Sequence, residues 1–413
     1  MPGGMALGEA EGDAAAEAVR EVIAGKRLFR YYGASGSLLE RSRVKRFERE
    51  FARQAGTAHA LALNSGTSAL VTGLVAMGVG PGDEVIVPGY TWFSSAGAVI
   101  AVGAVPVICE VDESLTIDVG DAAQRVTEHT RAIMPVHMRG APAPMDGVMD
   151  LAREHDLLVL EDVAQAAGAS FLGRPLGGIG HAGAFSFQMS KAMTAGEGGM
   201  LTTSDPGLRA RASMYHDSAA VPNTGAPLED WLPGVNLRMS ELHAAVLLVQ
   251  LGRLAGLVTA MRERKGRIKR ALGEAVESAG GSFRTLHDPD GDSGVALVFF
   301  LPEAEAAERV VAALAGDNVP ATRLYNEGKL LPNDYVDLHA YEAWAPLHEK
   351  RAWSERGGPW RGHPREVDYP RHGCPRTMDL LRRAVHIDVS PQLTETQADQ
   401  IGDATARAIE RLV

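Results

Sequence analysis

The chain has 413 residues, of which 45% are hydrophobic and 23% charged. That composition is ordinary for a soluble globular protein, long enough for about two or three domains, and it excludes disorder throughout. With 41 basic against 52 acidic residues the formal net charge is −11, which disfavours non-specific binding to nucleic acid or to anionic lipid.

Residues 1–14, rich in Gly, Ala and acids, read as a disordered tail, and no apolar block follows the first basic residue, Arg20, as a signal peptide would require. From there to residue 205 the pattern alternates strand and helix. Ala58–Leu63 is an apolar run. Glu84–Val87 follows the turn Pro81-Gly82-Asp83, and Val105–Cys109 is bounded by Gly103-Ala104 and Glu110. Ala132–Val136, Leu157–Leu160 and Met200–Thr203 are further strands, with helical spacing between them at Leu70, Leu74 and Met77, and at Met145, Val148, Met149 and Ala152. Such unalternating strands are buried on both faces, as in a parallel sheet covered by helices. In those sheets ligands gather at the carboxyl ends of the strands.

A second helical pattern starts at Ser240. After Leu251 it becomes charged, with Arg253, Arg262, Glu263, Arg264, Lys265, Arg267, Lys269 and Arg270. This run reads as a solvated face on a connection between a large α/β domain (15–252) and a smaller C-terminal α+β domain (253–413). The smaller domain would hold strands at Val295–Leu301, Pro320–Arg323 and Val385–Val389, a helix over Ala304–Ala315 and a closing helix from Thr394. Residues 325–376 form an insertion with Trp344, Trp353 and Trp360 and several prolines; a connection of that length is usually functional or mobile. Nowhere is there an apolar run of about 18 residues, the length that spans a bilayer. Cys109 and Cys374 are too few for a disulfide framework or a four-thiolate zinc site and read as reduced thiols of a cytoplasmic protein. No metal site is expected.

Three segments carry chemistry. Asn64-Ser65-Gly66-Thr67-Ser68 follows a strand and opens a helix, where free N–H groups bind anions and glycine lets a phosphate approach; capping alone would explain the same residues. Leu160-Glu161-Asp162 ends a buried strand on an acid, which needs a cationic or hydrogen-bonding partner there. Phe187-Gln188-Met189-Ser190-Lys191 places one lysine among small and apolar residues; desolvation lowers a lysine pKa and suits it to Schiff-base chemistry. A phosphate cap, an acid at a strand end and a lysine downstream together describe a pyridoxal phosphate site.

The order NSGTSAL, DEVIVPGYTW, PVHMRGAPAPMD, EDVAQAAGA, FSFQMSKAMTAGEGGM and NLRMSELHAAVLLVQL resembles the DegT/StrS family of sugar aminotransferases, which are fold-type I pyridoxal phosphate enzymes. The resemblance is close over residues 20–260 and runs toward two branches, the cyclitol aminotransferases and the 3-amino-5-hydroxybenzoate synthases. It implies an α/β fold with a large, mainly parallel seven-stranded sheet and a smaller C-terminal domain. It also implies that Lys191 bonds to the cofactor aldehyde and then moves the proton, that Asp162 holds the pyridine nitrogen protonated, and that Gln165 bonds the ring hydroxyl. Trp92 would stack on the ring. Gly66, Thr67 and Ser186 would hold the phosphate, and Asn236 would reach the phosphate of a partner subunit's cofactor, which makes the active unit a homodimer.

The activity that the resemblance implies is amino transfer from L-glutamate or L-glutamine to a keto-sugar or keto-cyclitol in specialised-metabolite biosynthesis. A pyridoxal phosphate lyase or dehydratase is the alternative, and a non-catalytic cofactor-binding regulator a minor one. Retention of Lys191 disfavours the sugar 3-dehydratases of the family, which carry histidine there. Two places depart from both branches. Arg139 stands where a small or aromatic residue is expected, and Val385–Ser390 lacks paired histidines. Arg139 or Arg238 would meet an anionic group of donor or acceptor; a surface role for Arg139, paired with Asp146 or water, is the other reading.

Overall fold

The computed structural model describes residues 9–26, 28–29, 42–218, 226–325, 337–355 and 357–413. Nine strands lie in its first half: β1 (His59–Leu63), β2 (Glu84–Pro88), β3 (Val105–Cys109), β4 (Thr130–Ile133), β5 (Leu158–Asp162), β6 (Ser170–Phe171), β7 (Arg174–Pro175), β8 (Ala182–Ser186) and β9 (Gly199–Thr203). Seven of them form one sheet in the order β1-β9-β8-β5-β4-β2-β3, and β6 and β7 pair separately. Only β9 runs against its neighbours; β8, β5, β4, β2 and β3 pair parallel. The sheet is the mainly parallel α/β sheet expected of the sequence. Its strands are buried on both faces, which is why they carry no alternation.

The remaining strands, β10 (Ser282–Phe283), β11 (Ala296–Phe300), β12 (Ala321–Arg323) and β13 (Ala384–Asp388), form a second, antiparallel sheet in the order β10-β11-β13-β12. Thr394 caps the closing helix Glu395–Leu412 with a full capping box to Gln397.

Two expectations need correction, the tail and the solvated charge run, and two others gain detail. Residues 9–14 of the expected tail are helical, in a helix Glu9–Ala24 that packs on the long helix Glu241–Ser278 through buried Ala15 and Val22; residues 1–8 lie outside the described residues. The boundary at 252/253 falls inside that long helix, which runs unbroken from its Ser240 cap. Its charge run is not simply a solvated face: Lys265 Nζ meets Asp292 Oδ2 at 2.6 Å, Arg267 meets Asp399 at 2.6 Å, and Arg264 Nε donates to the Leu393 carbonyl at 2.7 Å. The charges tie the helix to segments far along the chain. The same helix also holds an 18-residue window apolar enough to cross a membrane by length and composition, but half of that window is buried inside the protein.

The insertion, expected to be functional or mobile, is docked where it is described. Residues 326–336 and 356 lie outside the described residues. The rest is a strap that crosses back over the large sheet. Thr91 N–H donates to the His339 carbonyl and Tyr341 N–H to the Gly89 carbonyl, each at 2.9 Å. Trp344 is fully buried, edge-on to Phe93 with ring centres 5.7 Å apart, and its indole N–H donates to the Leu338 carbonyl at 2.8 Å. Farther on, Tyr369 Oη donates to the Pro106 carbonyl at 2.7 Å and Arg365 binds the buried Glu84 at 2.8 Å. Trp353 alone of the three insertion tryptophans stands out in solvent, 82% exposed.

Candidate active site

The carboxyl ends of β5 and β8 and the start of the helix Gly66–Ala76 converge. Ser65 caps that helix, its Oγ accepting from Ser68 N–H at 3.1 Å. The first N–H groups of a helix have no partner within it, so those of Gly66 and Thr67 are available to an anion. Gly66 is required by packing. A Cβ there would lie 2.6 Å from the Cβ of Ser186, the last residue of β8. Glycine therefore lets the helix start touch the strand end and brings the Ser186 hydroxyl beside the free N–H groups. Thr67 Oγ1 lies 3.1 Å from Ser94 Oγ, on the neighbouring helix start.

At the end of β5 two acids stand side by side, and the alternation of a strand sends them to opposite faces. Glu161 is consumed by structure: it accepts N–H bonds from Gly177, Ile179 and Gly180 at 2.7–2.9 Å and meets His137 Nε2 at 3.2 Å. These contacts hold its carboxyl below the usual range in spite of burial. Asp162 accepts from Ser95 Oγ at 2.8 Å and from Ala164 N–H at 3.1 Å, and it makes no ion pair among the described residues. Burial, partly offset by these bonds and by the Lys191 charge, pushes its carboxyl up. A buried acid in that state lacks a cation, and a pyridinium nitrogen supplies one.

Lys191 follows β8 through a turn closed by its own N–H to the Gln188 carbonyl at 3.0 Å. Burial lowers its ammonium from 10.5 to about 8; the Asp162 charge opposes that shift and the Arg139 charge adds to it. Nζ makes no hydrogen bond among the described residues. Trp92 is 37% exposed and meets the His339 ring edge-on at 5.0 Å, which leaves indole surface open to a ring. Gln165 Oε1 accepts the Arg139 N–H at 3.2 Å, and its Nε2 stands 3.4 Å from His339 Nε2. Gly66, Thr67, Trp92, Asp162, Gln165, Ser186 and Lys191 thus fit pyridoxal phosphate: a cradle for phosphate, an unpaired acid and a lysine of lowered pKa.

The two substrate candidates part company. Arg238 is engaged: Nη1 meets Asp217 Oδ1 at 2.6 Å and the guanidinium lies over the Phe29 ring. Arg139 is half-buried and bonds Gln165 and Tyr90 rather than Asp146, which is exposed and accepts the Gly147 N–H. Asn236 is exposed and stands near the helix cap, where Asn64 N–H donates to the Leu237 carbonyl at 2.9 Å. Sequence reasoning missed Tyr90, Asp337, His339, Arg284 and His386 around Arg139. Tyr90 Oη accepts from Arg139 Nε at 3.3 Å, and Asp337 pairs with His339 at 2.6 Å. Burial, with the Arg139 charge second, pushes His386 down to about 3, so it is neutral. No local pattern announces these residues; only an arginine out of place in the motif points there.

The model of the DegT/DnrJ/EryC1/StrS aminotransferase family matches residues 26–357. The 3-amino-5-hydroxybenzoate synthase of Amycolatopsis mediterranei is 35% identical over 379 residues, covering 88% of this chain and 90% of that protein. The L-glutamine:2-deoxy-scyllo-inosose aminotransferase of Streptoalloteichus tenebrarius is 32% identical, covering 89% and 86%. Matches of higher identity, up to 43%, span little more than half of the relative concerned, 57%. The crystal structure of an aminotransferase from Psychrobacter cryohalolentis superposes with a TM-score of 0.81 at 28% identity and 98% coverage of both chains.

Proposed function

This chain belongs to the DegT/DnrJ/EryC1/StrS aminotransferase family, and we propose that it moves an amino group from L-glutamate or L-glutamine to a keto-sugar or keto-cyclitol in a specialised biosynthetic pathway. The observation that carries the proposal is the presence of Lys191, lowered to about 8, within reach of the charge of the buried Asp162 and beside a phosphate cradle.

Pyridoxal phosphate is the family's cofactor, and when bound it supplies an aldehyde to exchange amino groups and a ring to take up electrons. Lys191 Nζ, neutral in a useful fraction near pH 7, takes the proton from the donor's α-carbon and returns it one step along. Asp162, fixed in place by Ser95 and Ala164, would hold a proton on the ring nitrogen. Gly66, Thr67 and Ser186 would anchor the phosphate, Gln165 would orient the ring hydroxyl, and Trp92 would stack on the ring. We place the work in the cytoplasm and in a homodimer. Val235, next to Asn236, and Trp231 are exposed apolar residues, suited to burial against a second copy, whose phosphate Asn236 would reach.

The test is made on purified holoenzyme. Glutamate or glutamine alone should convert the cofactor to its amine form, and a keto-cyclitol such as an inosose, or a keto-sugar, should convert it back with an amino product. Ammonia release and an unsaturated product without any acceptor would replace amino transfer by elimination.

A further inference from the structure

Arg139 sits in the left-handed region, with φ 53° and ψ 39°, where non-glycine residues are uncommon. Three contacts hold it there. Its N–H donates to Gln165, its Nε to Tyr90, and Gly140 beside it is packed so closely that a Cβ would lie 2.1 Å from Ser293 Oγ. Ser293 N–H in turn donates to the Gly140 carbonyl at 3.0 Å. The backbone is thus fixed in an uncommon conformation that aims one guanidinium.

That guanidinium is half finished. Nη1 and Nη2 make no hydrogen bond and no ion pair among the described residues, and the residue is half-buried. The neighbouring Arg284 is committed, donating to the Ser114 and Met138 carbonyls, and the other substrate candidate, Arg238, is bound to Asp217. Asp337 and Asp388 lie close enough for their charges to act on Arg139, but each is nearer to a histidine, His339 at 2.6 Å and His386 at 3.4 Å. Two parallel N–H donors of one guanidinium match a carboxylate in a bidentate pair.

The chemistry of the substrates says which carboxylate. An amino-acid donor carries its carboxylate on the same carbon as the amino group, so the anion must lie within a few bonds of the group that exchanges at Lys191. A neutral keto-sugar or keto-cyclitol has no anion to offer there. Arg139 acts electrostatically on Lys191 and bonds Gln165, the residue on the ring-hydroxyl side. We propose that Arg139 takes the α-carboxylate of the amino-acid donor in a bidentate pair. The proposal rests on the amino-donor reading above.

The experiment uses holoenzyme in native, Arg139→Gln and Arg139→Lys forms. Glutarate, which has the carboxylates of glutamate but no amino group, is titrated by calorimetry, so turnover is not needed. The native protein should bind it. Arg139→Gln should bind about tenfold to a hundredfold more weakly, the size expected for a lost charged hydrogen-bond pair, and Arg139→Lys should recover part of the loss. In the half-reactions, the donor's apparent dissociation constant should rise while the acceptor's KM stays. Cofactor content and melting temperature report whether the variants fold, and Arg139→Lys carries the comparison if Arg139→Gln does not. Glutarate binding unchanged by substitution, no binding to the native protein at millimolar concentration, or a loss confined to the acceptor would overturn the proposal. Failure of every donor to convert the native cofactor would refute amino transfer instead, and the glutarate titration would still decide Arg139.

Discussion

Asp162, Gln165, Ser186 and Lys191 all come from two strand ends of one sheet and the turns after them, within residues 162–191. On the other side of the site Tyr90, Arg139, His339 and His386 come from four separate segments, two of them in the strap and the second sheet. A side built on strand ends keeps its geometry because the parallel ladder fixes it. A side assembled from distant segments depends on the strap staying docked, and is free to differ between enzymes that share the first side. The contrast predicts that damage to the first side stops chemistry, whereas damage to the second changes affinity or stability.

The largest effect should come from Lys191→Ala. Removing the group proposed to bind the aldehyde and move the proton should lower turnover by at least about a thousandfold, with cofactor still bound through its phosphate. Near-native turnover by that variant would remove the lysine from the chemistry. Next comes Asp162→Asn, which keeps the Ser95 contact but loses the charge. A nearby opposite charge shifts a pKa by about one to three units, so proton abstraction should slow by about tenfold to a thousandfold. An unchanged rate would show that the acid does not face the ring.

On the strap, Trp344→Ala should cost about 3–5 kcal/mol of stability, as for large aromatic deletions in a core, whereas the exposed Trp353→Ala should change it by less than about 0.5 kcal/mol. Thermal unfolding of both variants checks this; equal effects would mean that the strap is not part of the cooperative unit. The smallest effect is one of pH. Because burial puts Lys191 at about 8, and only the neutral amine attacks the aldehyde, reattachment of cofactor to the stripped protein should quicken as pH rises and level off above about 8. A rate still climbing tenfold per unit at pH 9.5 would signal an ordinary exposed lysine.

The same contrast explains what can be read from the sequence. Strand cores, the Ser65 cap, Asp162 and Lys191 lie within short motifs whose spacing is local. The Glu241–Ser278 helix is legible in pattern but not in continuity, since its charges look solvated until their partners Asp292, Leu393 and Asp399 are in place. His339 has no periodic neighbour to announce it; its position is set by backbone bonds between the strap and residues 89–93. Arg139 stands out by its type, but only the fold distinguishes a surface arginine from one aimed at the site.

The central claim is that Lys191 Nζ moves the donor's α-proton, and exchange of that proton with solvent tests it without knowledge of the acceptor. Glutamate or glutamine is incubated in heavy water with holoenzyme, and loss of the α-proton signal is monitored by NMR. Native enzyme should wash deuterium into the α-position with no acceptor present, and Lys191→Ala should do so at least about a thousandfold more slowly. Equal exchange rates for the two proteins would contradict the account.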